Sequence, residues 1–482
     1  KLSEIFGART VQIDELLRRL DLYELSLQSV AAQDARTTTA LEAYSAGVNA
    51  WINEVNAGAR GRGAPEFFLF SNEISAWAPG DSIAIVKLMA LQMSSHLQSE
   101  VQRAQLSQIL TPPRLADILP EYPTQGIAAL PPYASLMPGP YAAPNPNAMA
   151  YLDEPLSPFV SRAFAGASNA FAALPSRSAA GGSLLANDPH LGLTAPSIWY
   201  LARLDLPTGG VIGGTIPGMP LMLVGRSDKL GWGLTSAYVD DQDVVMEKVN
   251  PDNTEEYLTP EGPKPFRTAQ TIITVKDEAP ITITQRWSES GPILPATHYD
   301  LASVTPPGTV AALQWTALSG ADTSMMAGLR LMTAQSVAEA MAAGRLFVAP
   351  SQNLTLADGT TIALQTIGAI PARDVSHATK GRMPAPGWEG KNRWTGVQPY
   401  DQNPREVNPA SGIIGNTNNK TVDRPFPLHV SFDWGDTQRI QRWLTLMKTR
   451  EVHTRESFIE AQLDTVSFTA RSLLPLIGAD LW

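Results

Sequence analysis

Between Thr111 and Ala167 the chain runs through P-P-R, P-P-Y, M-P-G-P-Y and A-P-N-P-N. Proline offers no backbone N–H and clashes with the preceding helical turn, so neither a long helix nor a central strand can cross this stretch. The chain must therefore be built as one part before a connector and another part after it. Before it, Leu41, Tyr44, Val48, Trp51, Ile52 and Val55 recur at spacings of three and four, which predicts an amphipathic helix. Thr39 and Glu42 would form its capping box and Gly58 its stop. A second helical segment is predicted from Ile83 to Leu106. After the connector the period changes: the run Thr271 to Val275 and the run through Ile281, Ile283 and Trp287 flank the turn residues Lys276, Asp277 and Glu278. Helix returns late, with Ile440, Trp443, Leu444 and Met447 on one face and Phe458, Ile459, Leu463 and Val466 on another. The reading is a helix-rich part over 1–134, a connector over 135–167 and a mostly sheet part over 168–482.

Both parts can hold a core, because 44% of the 482 residues are apolar and only 17% charged, which excludes disorder as the main state. The net charge of −10 and the absence of any basic run argue against a nucleic-acid partner held by phosphate neutralisation. The apolar runs fall far short of a membrane span of about 20 residues, so no membrane partner is expected. Without cysteine there is no disulfide, thiolate zinc site or thiol nucleophile. Lys1 follows neither an initiator methionine nor an apolar signal core and reads as the start of a processed chain or a fragment.

Four groups of residues carry possible chemistry. Ser168, in G-A-S-N-A-F, opens a strand-like stretch; it reads either as a loop serine or as a nucleophile. Ala165-Gly166-Ala167 has the form of a signal-peptidase site, but no apolar segment precedes it. In A-N-D-P-H-L, Asp188 and Pro189 make a turn that delivers His190, a structural hydrogen-bonding group or a functional one. Asp240, Asp241 and Asp243 place three carboxylates within four positions. They repel one another unless a cation sits among them, so they read as a calcium-type oxygen site or a solvated turn. The asparagines of G-N-T-N-N suit an uncharged oxyanion pocket or an ordinary turn.

Taken in order, S-N-A-F at Ser168, A-N-D-P-H-L at Ala186, I-P-G-M-P at Ile216, G-W-G-L-T-S-A-Y-V-D-D-Q-D at Gly231 and N-T-N-N at Asn416 resemble the penicillin amidases. These are N-terminal nucleophile hydrolases, and L-E-A-Y-S-A-G-V-N-A-W-I at Leu41 supports the likeness. The resemblance implies an α+β fold, the αββα sandwich of two stacked antiparallel sheets flanked by helices. It also implies further chain on both sides of this segment, an exported periplasmic or secreted protein, and a zymogen that cuts itself between Ala167 and Ser168 into two subunits that stay together as a heterodimer. The freed α-amine of Ser168, with a pKa near 7.7–8.0, would then be the general base for its own hydroxyl.

By the same resemblance Asn418 and the backbone N–H of Ser236 form the oxyanion hole, with Ala237 as the alternative if the register differs by one. Arg439 would hold the asparagine and the amine end of the serine, or else be a surface arginine on a helix. His190 resembles the histidine of cephalosporin and lactone- or lipopeptide-cleaving acylases and would orient the nucleophile. A structural calcium would take Glu100, Asp240, the carbonyl of Gln242 and Asp243; a further acid that the family places between Asn418 and Arg439 has no counterpart near Leu428. No organic cofactor is implied. Leu191, Val224, Tyr238, Met93 and Ser94 would line an apolar acyl pocket, and the substrate would be an uncharged N-acyl amide of the β-lactam side-chain or acyl-homoserine lactone type. Two other readings are an uncleaved, non-catalytic binding protein of the same fold and a conventional hydrolase using Ser168, His190 and Asp188. The latter lacks a G-x-S-x-G elbow.

Overall fold

The computed structural model describes residues 1–61, 63–69, 74–119, 130–155, 157, 167–207, 209–435 and 437–478. Alternation along the strand Asn169–Ala173 sets the order of the layers, because successive side chains of a strand point to opposite faces. Phe171 and Ala173 turn into a cluster with Trp443, Met447 and Phe458, supplied by the helices Gln438–Lys448 and Arg455–Gln462. Ala172 turns the other way, against Ala357 and Ile362. The strand is the centre of a three-stranded antiparallel sheet between Leu184–Asp188 and Ile413–Asn416.

Ala357 and Ile362 belong to a seven-stranded antiparallel sheet ordered Arg405–Val407, Ile362–Ile367, Gln352–Ala357, Gly231–Ser236, Val224–Ser227, Gly209–Thr215, Tyr200–Leu206. Its other face carries Trp232, Leu354, Leu356 and Ala363 into a core with Ile83, Val86, Met325 and Ala340. Those residues come from the helices Pro79–Met93, Ser324–Leu331 and Val337–Gly344. The stack is helix, sheet, sheet, helix, the expected αββα sandwich. Where Gly233 of the larger sheet meets Asn187 of the smaller one only glycine fits: a Cβ on Gly233 would lie 2.6 Å from Cβ of Asn187.

Residues 242–315 add a further sheet, ordered Arg267–Ile273, Ile281–Ser288, Gly291–Leu294, Thr309–Trp315, Gln242–Asn250, Asn253–Thr259, Gly262–Pro265. It contains the expected hairpin, with Asp277 in the left-handed region at φ 60°. The helices Val11–Leu20 and His96–Ile109 bury Ile13, Leu16, Leu97 and Val101 against its Val244, Met246, Leu313 and Trp315.

Four sequence expectations change. The first long helix is Ala35–Asn56, capped by the Asp34 carboxylate on the Thr37 amide at 2.9 Å; Thr39 sits inside it and bonds back to the Ala35 carbonyl. Trp51 faces outward under the Arg60 guanidinium. The segment Ile83 to Leu106 is two helices, Pro79–Met93 and His96–Ile109, broken at Ser94 and Ser95. The helix Arg455–Gln462 ends before Leu463 and Val466, which are exposed. Within the proline-rich stretch Tyr133 is fully buried, and its hydroxyl donates to the Val304 carbonyl at 2.6 Å. Residues 158–166, where the connector was expected to meet the cut, and Asp436 beside Arg439, lie outside the described residues. Among the described residues no helix is long and apolar enough to cross a membrane.

Candidate active site

Ser168 is buried and stands one residue before the central strand of the small sheet. Antiparallel register sets Asn169 opposite Asp188, and Nδ2 of Asn169 donates to the Asp188 carboxylate at 3.1 Å. The turn after Asp188 then carries His190 back over the junction, with Nδ1 2.9 Å from the Ala167 carbonyl oxygen and Nε2 3.7 Å from Asp188. Burial raises the Asp188 carboxyl above its ordinary value. From the opposite side Arg439, in the first turn of Gln438–Lys448, aims Nη2 at the Ala167 carbonyl (2.5 Å), the Ser168 carbonyl (2.6 Å) and Oδ1 of Asn169 (2.6 Å). The surface-arginine reading of Arg439 is thereby replaced by one in which the guanidinium grips both sides of the Ala167–Ser168 junction.

Arg439 Nη1 also donates to Oδ1 of Asn418 at 3.1 Å. Guanidinium is a donor only, so this bond assigns the amide: the Asn418 oxygen faces the arginine and its NH₂ faces the site. Nδ2 of Asn418 lies 3.2 Å from the Ser236 carbonyl. The Asn418 backbone is left-handed at φ 65° and is pinned by its own N–H on Oδ1 of Asn416 at 3.0 Å. Asn416 is held in turn by Thr235 and Asn353. The Ala237 N–H is spent on the Ser351 carbonyl at 3.3 Å, which counts against Ala237 as an oxyanion donor. Bonded and non-bonded pairs alternate along antiparallel strands, so the neighbouring pair Ser236–Gln352 turns the Ser236 N–H to the other side. There the strand Val224–Ser227 pairs only as far as Trp232.

Ser168 opens onto a cavity of about 950 Å³, part of it open to solvent. Its wall is almost wholly apolar and rich in methionine, with Met89, Met93, Met219, Met222 and Met325 beside Leu191, Leu221 and Phe347. Val86, Met89 and Met93 present one face of a single helix to it. Leu191 and Met93 are therefore where the sequence reading put them. Val224 is not; it lines a groove with Arg203 and Arg226, on a different side of its sheet. Ser94 ends its helix and borders a separate small cleft with Leu97 and Gln242. Tyr238 is partly buried, left-handed at φ 49° and near Arg439, outside the cavity wall, and burial raises its hydroxyl above the ordinary value.

The expected calcium ligands do gather, but around a side chain. Arg373 donates to both oxygens of Asp243, at 2.8 and 2.9 Å, and to the Asp240 carbonyl at 3.0 Å. His429 Nε2 lies 2.9 Å from Oδ2 of Asp240. Glu100 accepts the Val244 N–H, and the Gln242 side chain accepts the Leu97 N–H. Asp241 turns away toward Trp315 and Thr316, and burial lifts its carboxyl to about 6. Arg373 and His429 thus already hold both oxygens of Asp243 and one of Asp240, and this donor set suits a guanidinium better than a calcium ion, which takes six to eight oxygens. Sequence reasoning missed Arg373, His429 and Asn187; the last stitches the two sheets by bonding Leu234 through both ends of its amide.

The family model for penicillin amidase matches residues 1–481. An acyl-homoserine lactone acylase, QuiP, of Pseudomonas syringae pv. tomato is 29% identical over 489 residues, covering 98% of this chain and 56% of that protein. A penicillin G acylase of Escherichia coli is 24% identical over 491 residues, covering 91% of this chain and 56% of that protein. The chain thus spans about 56% of the length of the curated relatives it matches. A thermostable penicillin G acylase from Alcaligenes faecalis has the same fold, with a TM-score of 0.57 at 21% identity over 64% of this chain and 55% of that one.

Proposed function

The chain belongs to the penicillin amidase family, and on that premise we propose that it is the central part of an amidohydrolase that cleaves N-acyl amides through an acyl-enzyme on Ser168. The observation that carries the reading is the Ala167–Ser168 junction. A buried serine stands at the mouth of an apolar cavity, and the carbonyl that precedes it accepts from Arg439 at 2.5 Å and meets His190 at 2.9 Å. Donors on that carbonyl oxygen stabilise the charge that develops when Ser168 Oγ attacks its own preceding peptide. Oγ bonds to the Ala167 carbon, the peptide bond breaks, the nitrogen takes the proton, and water then hydrolyses the ester. The α-amine so freed accepts the Oγ proton in each later turnover.

In the hydrolytic cycle Oγ attacks the substrate amide, and the oxyanion takes hydrogen bonds from Asn418 Nδ2 and the Ser236 N–H. The protonated α-amine gives its proton to the departing nitrogen, and water releases the acyl group. Among the described residues the cavity wall offers no charged partner, which supports an uncharged acyl chain as the group it holds. Acyl-homoserine lactones and the acyl side chains of penicillins both qualify chemically. The proposed setting is the periplasm or the exterior of the cell, with the two subunits remaining paired.

The decisive experiment is the intact mass, under denaturing conditions, of the full-length protein beside a Ser168→Ala variant. The proposal expects two chains from the wild type, one beginning at Ser168, and a single chain from the variant. A single chain from both would remove the amine base and leave the binding-protein reading.

A further inference from the structure

The three carboxylates Glu100, Asp240 and Asp243 meet where the helix His96–Ile109 crosses the start of the strand Gln242–Asn250. All three are at least nine-tenths buried, and buried charge of one sign requires a counter-charge. A calcium ion would need six to eight oxygen ligands. Here the oxygens are committed elsewhere. Asp243 gives both to Arg373, and Trp394 Nε1 donates to it as well. Asp240 gives Oδ2 to His429, with Arg373 Nη2 3.4 Å away. Both Glu100 oxygens accept the Val244 N–H at 3.2 Å. Of these carboxylate oxygens only Oδ1 of Asp240 is without a hydrogen bond.

The chain around the guanidinium is shaped to it. Arg373 is 5% exposed and ends the short strand Pro371–Arg373. The backbone then returns over it at Gly381, left-handed at φ 72°, where a Cβ would lie 2.7 Å from Arg373 Nε and 2.8 Å from Oδ1 of Asp243. Only glycine lets the loop close on the pair. Near Leu428, where the family resemblance calls for another acid, His429 brings an N–H donor instead of an oxygen; the acid in that stretch that does border the cleft with Glu100 and Asp240 is Asp433, and it faces Arg103 at 3.7 Å and His96 at 3.9 Å.

We propose that Arg373 is the cation of this site, with His429 adding a hydrogen bond to Asp240: the guanidinium takes the structural place expected of calcium, and the junction between the two parts of the chain holds without a metal. The fork of the guanidinium suits this, because it meets one carboxylate with two parallel bonds while reaching a second.

The test is thermal unfolding of the full-length wild-type protein, untreated, after chelation and with added calcium, together with the metal content of the dialysed protein. The expected result is one unchanged Tm under all three conditions and no stoichiometric calcium. A Tm that falls on chelation, or one equivalent of calcium per chain, overturns the proposal. Arg373→Gln removes the charge at similar length. Its Tm is expected to drop by an amount on the order of 5 °C and, unlike that of the wild type, to rise with added calcium. A variant with wild-type Tm overturns the proposal too, and a variant that does not accumulate leaves the wild-type measurements to decide it.

Discussion

Asn418 occupies a backbone conformation that costs most residues energy, and three bonds keep it there: its N–H on Asn416, its oxygen on Arg439 and its NH₂ on Ser236. The amide is thus oriented before any substrate arrives. Asn418→Ala is expected to lower kcat by about 10²- to 10³-fold, while intact mass still shows the cut at Ser168; a turnover near wild type would reject Asn418 as the oxyanion donor. His377 gives a second prediction at this scale. Burial, against a weaker opposing pull from Asp243, pushes its imidazole down from 6.5 to about 4. The unfolded chain therefore takes the proton first as pH falls, so His377 contributes stability above pH 6.5 that is lost between 6.5 and about 4, up to about 3 kcal/mol. Asp241, lifted from 3.8 to about 6, acts with the opposite sign over an overlapping range. The wild-type profile is a difference, and the His377→Leu minus wild-type curve isolates one component: it should rise toward acid pH in denaturant titrations, and a flat difference would refute the assignment. What sequence revealed at this scale is equally uneven. Ser168, His190, Asn418 and Arg439 lie in local motifs, whereas Arg373 meets Asp243 from 130 positions away and no local pattern announces it.

The helix Pro79–Met93 does two jobs with two faces. Val86, Met89 and Met93 line the cavity, and on another face Lys87, wholly buried, donates to the carbonyls of Ala317 and Ser319 and pairs with Asp322 at 3.3 Å. Burial lowers the Lys87 ammonium from its ordinary value, and Asp322 partly offsets this. Lys87→Met takes the counter-charge from a buried carboxylate that keeps only the Ser324 N–H, and a donor from two carbonyls, and should lower stability by about 3–5 kcal/mol in denaturant titration. The double change Lys87→Met with Asp322→Leu should recover part of that loss; if it does not, the charge pair is not its source. Periodicity found the face of this helix but not its end, because Ser94 and Ser95 break it with no proline or glycine to mark the place. Ser94 consequently falls outside the cavity. Val224 failed for another reason. Gly213 and Gly225 bring their strands so close that a Cβ on Gly213 would lie 2.1 Å from the Val224 carbonyl oxygen, and which wall of the sheet each residue faces follows from that pairing.

At the scale of the molecule, the sandwich was legible through the family resemblance, and the structure shows its local basis in Phe171 and Ala172, which turn to apolar layers on opposite sides of one strand. The additional sheet of residues 242–315 was legible only as its hairpin, because its remaining strands are joined by register with one another and by helices from the far side of the connector. That second kind of contact has a consequence for the proposed cut. Residues before Ser168 reach across it at several buried and part-buried points: Gln33 to the Asp322 carbonyl at 2.7 Å, Gln105 to Asp300 at 2.6 Å and Ser303 at 2.7 Å, Tyr133 to Val304, and Glu100 to Val244. A shared core of Leu16, Leu97 and Val101 against Leu313 and Trp315 adds apolar burial that no peptide bond is needed to maintain. Breaking one covalent link at Ala167–Ser168 removes none of these contacts. The cut protein should therefore elute as one species in native size-exclusion chromatography, at the volume of the uncut Ser168→Ala variant, and separate into two chains only in denaturant. Two species under native conditions would mean that the covalent link, and not the buried interface, holds the two parts together.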